Sequence, residues 1–329
     1  MKRRFLIASG SLAAPALLLR GAQAQGVARE AKDKDIRVVV GFERGGGADA
    51  VARAIAAQLQ RRTSRRVAVD NRTGSHGAVP GEIVKKGVPD GSELALLSST
   101  TLVSRLNSKD FPFDPTTDLT PLTKVGNFSI AFAVSPTLGI NTFAEYVDWL
   151  KAGDPSRRKI AVSSNTTFVQ VLNILLRRSI GQTLEPVNYR GVLPILSDMK
   201  DGRIPASVNT LTSLLPPHRG QRVKILMTTG TRRLNVAPNI PTAVELGYPT
   251  LDMEEWFAFF GPPAIPPELS APLVRRLRAT IDDPEMVDLL KPLGLEVETS
   301  TPEELVALMD LHKKNWQARM SNTGLAAAN

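Results

Sequence analysis

The chain of 329 residues has no cysteine and only three histidines, His76, His218 and His312. Without cysteine there is no disulfide framework, no thiol chemistry and no cysteine-ligated metal, an absence compatible with an oxidising compartment. The histidines are far apart in the chain, and none has another histidine or a carboxylate at metal-binding spacing, so neither a metal nor a cofactor is expected. No G-x-S-x-G nucleophile elbow occurs, and Ser75 beside His76 is a loop pair, because adjacent residues seldom form a nucleophile and its base. Paired acids at Asp282-Asp283, Glu254-Glu255 and Glu303-Glu304 look like helix starts or solvated faces. No catalytic residues are expected. Aromatic residues make up 5 % of the chain and do not interleave with its small basic runs, which argues against nucleic acid. Beyond the N-terminal segment no run approaches the ~20 apolar residues of a membrane span.

That N-terminal segment has the form of an export signal. Lys2, Arg3 and Arg4 precede an apolar run from Phe5 to Leu19, and Ala22-Gln23-Ala24 has the A-x-A form of a signal-peptidase site. Residues 1–24 are therefore expected to be removed after Ala24, leaving a soluble periplasmic protein that starts at Gln25. Arg3-Arg4 before Phe5-Leu6-Ile7 fits a twin-arginine signal and an ordinary secretory signal equally. The net charge of +9 includes four basic signal residues (Lys2, Arg3, Arg4, Arg20) and no signal acids, so +9 less these four leaves +5. A mild preference for anionic ligands is consistent with that balance.

The stretch that organises the chain is Ile36-Arg37-Val38-Val39-Val40-Gly41-Phe42-Glu43-Arg44-Gly45-Gly46-Gly47-Ala48-Asp49. Its spacing predicts a buried strand, a tight turn and a helix N-terminus. Glycine admits positive φ and close approach, and the first amides of a helix have no partner inside it and carry the positive end of its dipole. Together they make an anion site from backbone alone. The stretch is neither a P-loop nor a dinucleotide fingerprint, since both the Gly-Lys-Ser/Thr and the G-x-G-x-x-G spacing are missing. Strand and helix patterns then alternate: strands over 67–69, 93–97, 130–134, 159–162, near 187, 206–208, 224–227 and 256–260, with helices between most of them. That alternation predicts a parallel α/β sheet. Thr301 and Pro302 look like the N-cap and first residue of a final helix. The carboxyl ends of five strands carry small hydrogen-bonding residues: Gly45 to Ala48, Ser98 to Thr101, Ser163 to Thr167, Asn209-Thr210 and Thr228-Thr229. In open α/β sheets ligands bind outside those ends, so five such loops in two blocks predict a binding cleft.

The landmarks run in order along nearly all of the mature chain: the first Gly loop with Asp49; Val69-Asp70-Asn71-Arg72 with Gly74 and Gly77; Pro89-Asp90-Gly91; Phe113-Asp114-Pro115; Tyr189-Arg190-Gly191; Pro238-Asn239-Ile240-Pro241-Thr242; and Ser300-Thr301-Pro302-Glu303-Glu304. In this it resembles the Bug family, the periplasmic solute receptors of tripartite tricarboxylate transporters. The resemblance implies a type II periplasmic binding protein: two doubly wound α/β domains, 26–125 plus 250–329 and 126–249, closing on a small organic carboxylate. It implies a monomer that delivers its ligand to membrane transporter subunits. Phe42, Gly45, Gly46, Ala48 and Asp49 would form one clamp; from the residues themselves, Gly47 belongs to the same loop and Arg44, immediately before the glycines, is placed to reach a second acidic group on the ligand. Ser163, Ser164, Asn165, Thr166 and Thr167 would form the other, with Thr100 and Asn209 beside them. The sequence departs from the family pattern where two prolines are usual before Gly45, here Glu43 and Arg44. It departs again in the second loop, where Ser-Asn-Thr-Thr replaces glycines, and at Asn209, where an acid is common. A sensory receptor of the same fold is the alternative within this class. An exported hydrolase is the alternative from another class, weakened by the missing base and nucleophile.

Overall fold

A computed structural model describes residues 34–74, 77–163 and 166–325. The signal segment and its cleavage site, Ser75-His76 and the predicted ligand residues Ser164 and Asn165 lie outside the described residues.

Strand β1 (Ile36–Val40) has four of its five residues buried, as a strand covered on both faces requires. It lies between β2 (Val67–Asn71) and β3 (Glu93–Ser98), parallel to both. Further along the chain, β5 (Lys159–Val162) lies between β6 (Glu185–Asn188) and β7 (Ala206–Thr210), again parallel. The two parallel groups are joined by antiparallel strands, β9 (Glu254–Gly261) beside β3 and β4 (Thr120–Val134) beside β7. The sheet order is β2-β1-β3-β9-β4-β7-β5-β6, with β8 (Lys224–Thr228) and β10 (Glu296–Val297) also pairing with β4. The sheet is therefore mixed rather than purely parallel.

The fifteen-residue β4 is longer than the predicted strand over 130–134. Its first part, through Ser129, pairs with β9; from Ile130 onward it pairs with β7 and β8. Thr123 and Lys124 hide this strand in the sequence because they are polar, yet both are buried. Ser300 donates to the Thr123 side and accepts from the Lys124 N–H, while Lys124 Nζ reaches Glu298. Register shifts at three places along β4 bend it as β-bulges do.

The helices cover both faces. Gly47–Thr63 buries Val51, Ile55 and Leu59 at helical spacing. Phe143–Lys151 and Pro302–Thr323 both begin with a capping box, Thr142 with Glu145 and Thr301 with Glu304. Thr167–Ile180 ends at Gly181 in the left-handed conformation, φ 71°. Two short helices, Thr100–Asn107 and Leu211–Arg219, start directly from strand ends where the sequence predicts only polar loops. The second contains Pro216 and Pro217, residues that disguise a helix in the sequence. The final helix reaches back across the sheet. Arg319 donates to the carbonyls of Thr250 and Asp252, and the Asn322 carbonyl accepts from Arg178.

Gly126, where β10 crosses β4, has no room for a side chain: an added Cβ would lie 2.3 Å from the Glu296 carbonyl oxygen. Gly126→Ala is expected to lower stability by about 1–3 kcal/mol through overpacking, read as a fall in the thermal midpoint. An unchanged midpoint would mean that β10 gives way freely.

Candidate functional site

The turn after β1 is shaped by the hydrogen bonds of one carboxylate. Gly45 is left-handed at φ 83°, and its N–H donates to Asp49 Oδ2 at 2.9 Å. The same carboxylate accepts from Arg53 Nε at 2.9 Å and from Asn71 Nδ2 at 2.8 Å. Asn71 Nδ2 also donates to the Phe42 carbonyl, 3.0 Å away. Burial alone would raise the Asp49 carboxyl, but the donors from Arg53, Gly45 and Asn71 outweigh it and hold it below the usual aspartate range. Within the turn, the Gly46 N–H donates to the Glu43 carbonyl and the Gly47 N–H to Ser213 Oγ at 3.1 Å. An added Cβ on Gly47 would lie 2.3 Å from Thr212 Oγ1, so this glycine lets the turn touch the helix Leu211–Arg219 of the opposite wall.

The opposite wall is tied together by side chains. The Ser163 N–H donates to Asn209 Oδ1 at 3.3 Å, Asn209 Nδ2 donates to Ser207 Oγ at 2.7 Å, and Ser207 Oγ donates to the Ala161 carbonyl at 3.0 Å. Thr166 caps its helix by accepting from the Val169 N–H. Tyr189 OH donates to Asp198 at 2.7 Å, an arrangement that pushes the phenol up to about 12 through burial first and the neighbouring carboxylate second.

Between these walls lies a cavity of about 470 Å³. Of the predicted site residues, Phe42, Gly46, Gly47, Ala48, Thr100, Ser163 and Thr166 line it. Arg44, Gly45, Asp49, Thr167 and Asn209 are absent from its described lining. Arg44 is exposed, Gly45 faces Leu193, Thr167 is buried, and the side-chain polar atoms of Asp49 and Asn209 are taken by the bonds just described. Thr101 and Thr210, in two of the predicted strand-end loops, line the cavity as well, whereas sequence reasoning did not single out Gly41, Glu43, Thr73, Gly74, Gly77, Tyr189-Arg190-Gly191, Val192 and Ser213 as lining residues. The signal that could have found Tyr189-Arg190-Gly191 is its place at the carboxyl end of a parallel strand.

Most of this lining belongs to the beginnings of helices. Gly46, Gly77, Thr166, Gly191 and Thr210 are the N-cap positions of five helices, and Thr100 is the first residue of a sixth. Each presents the positive end of a helix dipole. Glu43 is the acid and Arg190 the base among the described lining residues. The field in the cavity therefore comes mainly from oriented backbone.

Behind Thr100 sits a buried acid. Ser99 Oγ donates to Glu255 and accepts from the Trp256 N–H at 3.1 Å. Glu255 is fully buried in β9, unlike the solvated face its pairing with Glu254 suggests. Burial pushes its carboxyl up to about 8 against hydrogen bonds from Ser99 and Trp316. His312 Nε2 is 3.6 Å away, and burial pushes that imidazole down to about 4. Both shifts favour a neutral pair at pH 7.

These features define an α/β solute-binding protein of the periplasmic type, with a ligand cleft at the carboxyl ends of its parallel strands. The chain belongs to the tripartite tricarboxylate transporter family receptors, whose family model it matches over residues 51–325. It is 28 % identical over 287 residues to a UPF0065 protein from the tcbD-tcbE intergenic region of Pseudomonas sp. strain P51, a match covering 86 % of this chain and 84 % of that one. Its fold matches the solved structure of R. palustris Rpa4515 with adipate, at a TM-score of 0.83 and 23 % identity over 89 % of this chain and 98 % of that one. It also matches MatC (Rpa3494) from Rhodopseudomonas palustris with bound malate, at a TM-score of 0.75 and 21 % identity over 87 % and 98 %.

The Glu255–His312 pair predicts a pH signature. Glu255 keeps its proton in the folded chain up to about pH 8 but loses it near 4.5 when unfolded, so its contribution to stability falls as pH rises through that window. His312, lowered from 6.5 to about 4, contributes in the opposite sense between those values. The two offset each other up to about pH 6.5, and above it the Glu255 decline stands alone. Denaturant titrations of wild type should show stability dropping from pH 6.5 to 8, by up to about 1.4 kcal/mol per pH unit. Glu255→Gln should flatten that slope. An identical slope in the variant would mean that Glu255 is ionised throughout.

Proposed function

We propose that this protein captures a small organic carboxylate in the cleft and hands it to the membrane subunits of a tripartite tricarboxylate-type transporter, without chemical conversion of the ligand. The observation that carries the reading is the convergence of six helix starts on one cavity, an arrangement suited to an anion and needing no matching cation. Two first-turn amides, those of Ala48 and Asp49, have no partner among the described residues and are the donors we assign to one ligand carboxylate. Thr100, Thr101, Ser163 and Thr166 supply hydroxyls around it. We take the change of partner within β4, from β9 up to Ser129 to β7 from Ile130, as the first crossover between two domains, and the segment that Arg319 holds before β9 as the second. Hinge closure at those two crossovers traps the ligand. The adipate and malate bound by its structural relatives agree with this ligand class.

Thermal denaturation with a panel of mono-, di- and tricarboxylates tests the reading. A true ligand present at a hundred times its Kd should add about 2.7 kcal/mol of stability, a shift of several degrees. A panel that leaves the midpoint unmoved throughout overturns it. The export step has its own test. We infer cleavage after Ala24, so N-terminal sequencing of protein from the periplasmic fraction should begin at Gln25; an intact Met1 would refute the signal.

A further inference from the structure

We propose that Glu43 selects the far end of the ligand, and that the ligand this cleft favours is a carboxylate bearing an ammonium group at its other end, not a second carboxylate. The inference rests on the carboxylate-receptor reading and sharpens it.

Glu43 sits on the first wall, at the start of the turn that leads to the amides assigned to the ligand's carboxylate, and it lines the cavity. The stem lies against Gly191 on the second wall: an added Cβ there would be 2.8 Å from Glu43 Cγ, 2.9 Å from its Cβ and 3.9 Å from its Cδ. Only the missing side chain of Gly191, left-handed at φ 84°, makes the approach possible. The stem of Glu43 is thus packed where the two walls meet, while the residue stays exposed to solvent. It forms no ion pair among the described residues, and the neighbouring Arg44 is absent from the described lining. Arg190 also lines the cavity and, like Glu43, is exposed and makes no hydrogen bond or ion pair among the described residues; what distinguishes Glu43 is the packing of its stem against Gly191. A ligand reaching from the helix starts to Glu43 therefore meets a negative charge. A second carboxylate is repelled there, whereas an ammonium group gains a charge-assisted hydrogen bond.

The test uses matched ligands of four, five and six carbons: the plain monocarboxylate, the ω-amino monocarboxylate and the α,ω-dicarboxylate, each titrated calorimetrically at fixed ionic strength. At the best chain length, wild type should bind the amino acid at least about tenfold more tightly than the diacid. Glu43→Gln keeps the size of the side chain and removes its charge. It should weaken the amino acid, tighten the diacid and bring their ratio to within about threefold, leaving the plain monocarboxylate little changed. Wild type preferring the diacid, or Glu43→Gln altering all three alike, overturns the inference while leaving the receptor reading intact. Failure of every carboxylate in the wider panel overturns both.

Discussion

The cleft depends on the Asp49 carboxylate more than on any other single group. Its oxygens collect a backbone N–H from the glycine turn, the Arg53 guanidinium one helical turn along, and the Asn71 amide at the end of β2. It thereby joins three pieces of chain that would otherwise be set only by packing. Burying a carboxylate is costly, and an incompletely satisfied one would be a defect. Here every donor is short and the charge is matched by Arg53. The arrangement also settles a conflict between the acid and its position. A negative charge in the first turn favours the helix but competes with an anionic ligand for the same dipole. Turned inward onto Gly45, Arg53 and Asn71, Asp49 stabilises the helix start and leaves the cavity side to the backbone.

A second constraint runs through the middle of the sheet. Strand β4 pairs with β9, which borders the first parallel group, and then with β7 of the second, so the passage between them is a hydrogen-bonded strand, not a loop. The return passage is anchored beside it, with the Thr229 N–H donating to the Ile130 carbonyl and the Ile130 N–H to Thr229 Oγ1. The C-terminal helix adds Arg319 to this region and contributes Trp316 and His312 around Glu255. Ser99 connects that buried acid to the helix start at Thr100, so the back of the molecule and the floor of the cleft share one hydrogen-bond network.

Much of this was legible in the sequence where local chemistry and tertiary environment agree. The β1 strand, β5 and the N-cap at Thr301 sit where their residues indicate, because each is decided within a few positions of itself. The glycine turn and the Ser163 loop do meet across one cavity. What was hidden depends on distant partners. Lys124 looks like surface until Glu298 is brought to it, and Glu255 like a solvated acid until β9 is placed between β3 and β4. Leu211–Arg219 was concealed by prolines that occupy its last turn. The position of Asp49 at the loop was readable, and two of the donors to its side chain, Gly45 and Arg53, lie four residues away on either side, but the third, Asn71, is brought to it only by folding.

The choice of helix starts over arginines follows from what a receptor must do. A guanidinium buried against a ligand carboxylate binds strongly, but when the ligand leaves it becomes an uncompensated buried charge. A helix start carries about half a charge, spread over amides whose carbonyl partners remain bonded along the helix. Emptying the site then costs the exposure of a few N–H groups to water, which satisfies them. Six such starts around one cavity raise the potential without placing a fixed cation at its floor. Among the described lining residues, formal charges are left to Glu43 and Arg190, both of which are exposed to solvent. Capture is thus assigned to the backbone, which the fold fixes. On the proposed reading, discrimination falls to side chains at the rim, where a substitution can alter the ligand without disturbing the turn that Asp49 holds.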